Sequence, residues 1–247
     1  MGFFSIEKEF VPQYPTSLVE QITEFLTNAI IEGRYKSGQR LVENELQRKF
    51  GISRAPIREA FLILEKNGLV TNVPRKGRFV RKISKEDIEE NYIIRADLES
   101  LAARLAVLHL GREEIESMES ALARMTDAAG KNDFKSFSQY HYQYHEVFIK
   151  GCKNSTLKEI LENLRLQTIW FWYSYPTTFP EYSFEYLIQV HREILDLFIK
   201  KEVEKLQDLV KKHILIGLEG ILRFRFLAPK NEDNEERRNN LIGTNGT

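Results

Sequence analysis

The chain has 247 residues, 42% of them apolar, enough for one large core or two ordinary ones, and its 36 basic and 36 acidic side chains cancel to a formal charge of zero. A single cysteine, Cys152, excludes an internal disulfide framework and fits a reducing compartment. No apolar run reaches the roughly eighteen residues of a membrane span, the first residues lack a signal-peptide core, and Ile6 stands where a myristoylation motif needs Ser or Thr, so a cytoplasmic protein without a membrane partner is expected.

In chain order, a short arm over 1–13 precedes a helix at 16–32, where Leu18, Val19, Ile22, Phe25, Leu26 and Ile30 recur at helical spacing. Gly33 and the Lys36-Ser-Gly-Gln turn close it. Leu41 to Val70 then reads as two short helices. Leu46 points inward from the first, Gly51 ends it, and Ser53 is placed to cap the second with its side-chain oxygen. Ile57, Phe61 and Leu64 form the buried stripe of that second helix, while Arg54, Arg58 and Glu59 point elsewhere. Residues 69–80 turn to β-prone pieces around Pro74-Arg-Lys-Gly77 and predict a two-stranded wing.

Ser84 and Asp87 have capping-box spacing and open a new helical region. Six helices are expected over 86–110, 112–129, 132–152, 155–175, 182–201 and 202–226, separated by Gly111, Gly130, Gly151 and the Pro176 to Pro180 segment. The polar residues of 227–247 predict a disordered tail. The fold class is mainly α: a winged helix-turn-helix over 14–80, a linker over 81–85 and an all-α bundle over 86–226.

The charge follows this division. Residues 11–82 carry 13 Lys/Arg against 7 Asp/Glu, whereas residues 83–247 carry 22 against 27. Only the first third is expected to meet a polyanion. Arg54 and Arg58, four apart in the first turns of the second helix, share a face, and an Arg fork there can bond guanine O6 and N7 in the major groove. Arg75, Lys76 and Arg78 flank Gly77 in the wing, a tip suited to close approach to the DNA backbone or minor groove.

Ser53-Arg-Ala-Pro-Ile-Arg-Glu-Ala-Phe, preceded by Glu45-Leu and followed by Leu64-Glu-Lys-Asn-Gly-Leu-Val70, resembles the winged-helix domain of GntR-family bacterial transcription regulators. The resemblance covers roughly residues 14–80. It implies that Ser53, Arg54, Arg58 and Gly77 contact operator DNA. Asn44 stands where some relatives place a DNA-contacting arginine.

Four of the five histidines form a pattern. His141 and His145 share one helical face, and His191 and His213 lie on two later helices. If those helices pack side by side, the four imidazoles can meet on one ion; each one alone is equally at home as a hydrogen-bonded core residue. His109 has no such partner. Trp170, Phe171, Trp172, Tyr173 and Tyr175 form an aromatic run suited to core or dimer packing, or to lining a pocket.

The run Tyr92 to Ala106 with Arg95 and Glu99, His145 followed nine residues later by Asn154, and His191 and His213 twenty-two apart resemble the all-helical FCD ligand domain of the FadR subfamily, over about residues 86–226. In many members a divalent metal is held by an Asp four residues before the first His, that His, and two later ones. His145, His191 and His213 match the histidines, and His141 takes the Asp position. An all-imidazole set favours borderline metals such as Zn, Ni or Cu over Mg or Ca, and Zn or Ni is the expected ion. The resemblance also implies that Arg95 faces the cavity and pairs with an effector carboxylate.

The expected protein is therefore a homodimeric regulator, a repressor, that binds a double-stranded inverted-repeat operator and answers to a small organic acid near a divalent metal. Two alternatives stand beside it: a regulator for which the ion itself is the signal, and a zinc hydrolase. The hydrolase is disfavoured because Tyr142 follows His141 where a zincin helix needs a Glu base.

Overall fold

The computed structural model describes residues 16–173 and 184–222. The arm at 1–13, Tyr175, the Pro176 to Pro180 segment and the tail at 227–247 lie outside the described residues.

Helix α1 (Leu18–Ile31) opens with a capping box that links Ser17 and Glu20 through both backbone N–H groups, and it buries Ile22, Leu26, Ala29 and Ile30. Strand β1 (Arg40–Leu41), helices α2 (Glu43–Phe50) and α3 (Arg54–Lys66), and strands β2 (Val70–Val73) and β3 (Gly77–Val80) complete a winged helix. Helix α2 ends at Gly51, whose φ of 67° is left-handed and whose N–H returns to the Gln47 carbonyl.

The wing is wider than the sequence predicts. Arg40 and Leu41 pair antiparallel with Phe79 and Arg78, which gives a three-stranded sheet of order β1-β3-β2. A strand of two residues has no alternation of its own to read; it exists because β3 offers a free edge.

The second region comprises α4 (Lys85–Ala106), α5 (Arg112–Gly130), α6 (Phe134–Gly151), α7 (Ser155–Tyr173), α8 (Phe184–Lys200) and α9 (Val203–Leu222). Helix α4 starts from the Ser84–Asp87 capping box, and Asp87 also pairs with Arg81. Burial opposes the Asp87 charge, but hydrogen bonds from Ser84 and the Arg81 guanidinium outweigh it and hold the carboxyl below its ordinary value.

Helix α4 serves two cores. Its Ala102, Ala103 and Ala106 join Met118, Phe148 and Ile194 in the bundle, while Ile88, Tyr92 and Ala96 join an apolar cluster containing Ile22, Phe61 and Leu69 of the winged helix. Trp170, Phe171, Ile214 and Leu218 complete that second cluster, so the core of the winged helix continues into α4, α7 and α9. Trp170 and Phe171 are thus core residues, each 2% exposed.

Gly68 sits at this junction. Its φ is +73°, and a Cβ there would lie 2.7 Å from Gln167 Nε2 on α7. Gly68→Ala is expected to lower stability by about 1–3 kcal/mol, measured by urea unfolding, because it combines left-handed strain with displacement of Gln167.

Candidate metal centre and nucleic-acid interface

Side chains of α2 hold three arginines of the winged helix. Arg54 and Arg58 are exposed in the first turns of α3. Arg54 Nε donates to Gln47 Oε1 at 3.1 Å, and Arg58 Nε meets Glu43 Oε2 at 2.8 Å. The other Glu43 oxygen takes Arg78 Nη1 from β3 at 2.7 Å. Helix α2 thereby fixes one nitrogen of each arginine and leaves the rest of each fork for other partners.

Ser53 occupies the cap position with extended backbone, φ −71° and ψ 167°, yet its side chain makes no capping hydrogen bond. This corrects the expected side-chain cap. Pro56 stands at the third helical position and has no N–H to donate there, so the exposed Ser53 hydroxyl is left toward solvent.

In the wing, Lys76 N–H closes a turn onto the Val73 carbonyl at 3.0 Å, with Arg75 at φ 64° and Gly77 at φ 100°. Arg75 and Lys76 are exposed. A Cβ on Gly77 would lie 3.4 Å from the Arg40 guanidinium, so β1 adds a further arginine beside the tip. Sequence reasoning missed Arg40, Glu43 and Gln47 as members of this surface. Their partners lie 7 to 39 positions away across turns and strands, where no helical or strand period applies. Asn44 is exposed, with its carbonyl receiving Arg48 Nε at 3.3 Å.

The structure brings four of the histidines together and leaves His109 exposed. Helix α6 presents His141 and His145 one turn apart, α8 presents His191 and α9 presents His213. His145 Nε2 lies 3.1 Å from His191 Nε2, and His141 Nε2 lies 3.4 Å from His213 Nε2. All four ligand atoms fall within 4.8 Å of one another. For comparison, a tetrahedral ion with bonds of about 2.0–2.1 Å separates its nitrogens by roughly 3.3–3.4 Å.

The outer hydrogen bonds test whether this cluster fits an ion. His145 Nδ1 lies 2.7 Å from Glu99 Oε2, and His191 Nδ1 lies 2.6 Å from the Leu187 carbonyl. Ionised carboxylate and carbonyl oxygens only accept, so both Nδ1 atoms carry the proton. In neutral rings the two Nε2 atoms then face each other as bare lone pairs at 3.1 Å, an arrangement that a cation between them relieves. His213 Nδ1 is buried with no hydrogen-bond partner among the described residues.

The rings are held neutral. Burial, followed by repulsion from neighbouring imidazoles, pushes His141 and His213 well below the ordinary histidine value and His191 down to about 3. Burial also lowers His145 against the pull of Glu99. For Glu99, burial works against ionisation, but His145, Arg95 and Arg165 outweigh it and bring the carboxyl down to about 2. Neutral imidazoles with an ionised carboxylate behind one of them are the protonation states that metal ligation requires.

A cavity of about 810 Å³ adjoins the histidines, lined in part by Tyr92, Arg95, Phe137, Arg165, Phe184 and Ile214. Arg95 stands at its wall, 7% exposed, over the Tyr92 ring at 4.4 Å. Its Nε lies 3.0 Å from Glu99 Oε1 without an aligned hydrogen bond, and its Nη1 donates to Thr168 Oγ1 at 2.7 Å.

Beyond Thr168 the polar contacts continue. Thr168 Oγ1 meets Asn91 Oδ1 at 3.0 Å, Asn91 Nδ2 meets Gln167 Oε1 at 3.4 Å, and Gln167 Nε2 donates to the Asn67 carbonyl at 3.2 Å. Asn67 is the C-cap of α3.

Residues 18–80 match the family described as bacterial regulatory proteins, gntR family, and residues 90–215 match the FCD domain. The chain is 31% identical over 209 residues to the uncharacterized HTH-type transcriptional regulator YdhC of Bacillus subtilis (strain 168), covering 84% of this chain and 90% of that protein. It is 24% identical over 222 residues to the HTH-type transcriptional repressor RspR of Escherichia coli (strain K12), covering 90% and 95%. The solved structure of E. coli McbR/YncC shares the fold, with a TM-score of 0.71 at 21% identity over 85% of this chain and 99% of that one.

Proposed function

The chain belongs to the GntR family of bacterial regulatory proteins and carries an FCD domain, which makes it a transcription regulator rather than an enzyme, and from that premise we propose that it is an effector-controlled repressor of the FadR subfamily. Two copies grip an inverted-repeat operator, protein symmetry mirroring the operator's. Ser53, Arg54, Arg58, Arg75, Lys76 and Gly77 make the DNA contacts, with Arg40 and Arg78 beside them. The cavity takes a small carboxylate against Arg95. His141, His145, His191 and His213 would hold a divalent ion, Zn or Ni by their chemistry, which would supply positive charge and, at a coordination number above four, a position for an effector oxygen.

One observation carries this reading: the polar contacts that run from Arg95 through Thr168, Asn91 and Gln167 to the end of α3. An acid that draws the Arg95 guanidinium toward itself alters the partner of Thr168, and the change reaches the helix that faces DNA. Coupling of this kind is a free energy shared by the two sites. With operator DNA followed by fluorescence anisotropy, a small carboxylic acid that binds is expected to weaken operator affinity by about 5–150-fold. Gln167→Leu should retain both binding events and lose most of the coupling. Full coupling in that variant would remove this route; an operator affinity indifferent to every bound acid would remove the effector reading.

A second reading, in which the ion is the signal, draws on the same cluster. Four imidazoles complete a tetrahedral set and leave no open position for an effector atom on a four-coordinate ion.

A further inference from the structure

Among the described residues the buried charged side chains are Arg95, Glu99 and Arg165, and of these Arg165 has no part in the effector reading above. It lies on α7 at the wall of the same cavity and is 5% exposed. Its Nη2 donates to the Tyr142 carbonyl at 2.7 Å, and the guanidinium lies 3.9 Å over the Tyr142 ring. No other hydrogen bond to a described residue commits its remaining donors.

Among the described residues the carboxylates near Arg165 have other partners or are exposed. Glu99 has Arg95 at 3.0 Å and His145 at 2.7 Å, and Glu146 pairs with Lys150 at 2.9 Å. Glu185 is an exposed residue of the lining. Among the described residues the interior wall therefore holds two guanidinium groups against the one carboxylate of Glu99, and neutral imidazoles do not redress the balance. A divalent ion would enlarge the excess. Guanidinium stays protonated even when buried, and an uncompensated buried charge is costly, so an anion is favoured beside it.

From this imbalance we infer that the effector is a small dicarboxylate, with one carboxylate taken at Arg95 and the other by Arg165. The assignment rests on the effector reading above and narrows its ligand class. A planar fork with uncommitted donors suits bidentate recognition of the second carboxylate. Phe137, Phe184 and Ile214 give the cavity apolar wall for the methylenes between the two acids. A monocarboxylate would satisfy one guanidinium and leave the other without a counter-charge.

The test is isothermal titration of the full chain with dicarboxylates from malonate to adipate and with the monocarboxylates from propionate to hexanoate. Unaltered protein is expected to bind one dicarboxylate at least about tenfold more tightly than the monocarboxylate of equal length. Arg165→Gln, which retains an amide donor for the Tyr142 carbonyl, should lose that preference while keeping its monocarboxylate affinity. Arg165→Lys, which keeps the charge without the fork, should retain part of it. Equal affinity for the two acid classes in unaltered protein, or equal weakening of both by Arg165→Gln, overturns the dicarboxylate assignment alone. Binding of neither class overturns the effector reading and this assignment together.

Discussion

Replacing His145 and His191 together with Ala is expected to yield protein without bound divalent ion by elemental analysis, where unaltered protein is expected to carry one ion per chain. These two rings provide the 3.1 Å Nε2 pair, and both are oriented from behind, by Glu99 and by the Leu187 carbonyl. Their removal leaves His141 and His213, too few donors to hold an ion through dialysis. An ion that binds only the folded chain stabilises it by about 2.7 kcal/mol at a hundredfold excess over its Kd, so chelation should lower the Tm of unaltered protein and leave that of the double variant unmoved. Normal metal content in the double variant would dismiss the centre. Chelation also separates the two regulatory readings: a change in operator affinity with no acid present makes the ion the signal.

The second large effect is on operator binding. Arg58→Ala, and separately Arg54→Ala, should each weaken operator affinity by about 1–3 kcal/mol if the side chain reads a base bidentately. Both arginines are exposed, so Tm should hardly change. Glu43 keeps Arg78 as a partner when Arg58 is gone, which limits the disturbance left behind. A contact to phosphate alone gives a different signature, a uniform loss across operator sequences and a salt dependence smaller by about one ion. Unchanged affinity would take the residue off the recognition surface.

The helices were legible because their signals are local. The Ser84–Asp87 capping box and the stripe Ile57, Phe61, Leu64 are patterns over three or four residues, and each occurs where the periodicity places it. The Ser17–Glu20 box has the same signature and was there to be read. Ser53 shows how a local rule fails: the residue type and backbone fit a cap, but Pro56 removes the donor.

Of the candidate site, the residue types and the pairing of His141 with His145 were readable, since one helical turn separates them. That His191 and His213 arrive from α8 and α9 within 4.8 Å of that pair depends on how three helices pack. Arg95 and Glu99 could be paired from spacing, yet their burial and the hand-over to Thr168 on α7 could not. Arg165 gave no signal, because a lone arginine on a helix looks the same whether it faces water or a cavity.

The sequence by itself determined the helices of both regions, the β2–β3 hairpin, the turn between α2 and α3, and the family, all of which rest on neighbours within a few positions of the chain, whereas β1 came from its pairing with β3. Tertiary structure alone decided that the winged-helix core runs into α4, α7 and α9, that Glu43 clamps Arg58 to Arg78, and that four imidazoles and two guanidinium groups share one cavity region. The physical reason is range. Helical geometry fixes where a side chain points relative to its own turn, whereas the distance between side chains on different helices is set by how their apolar faces pack.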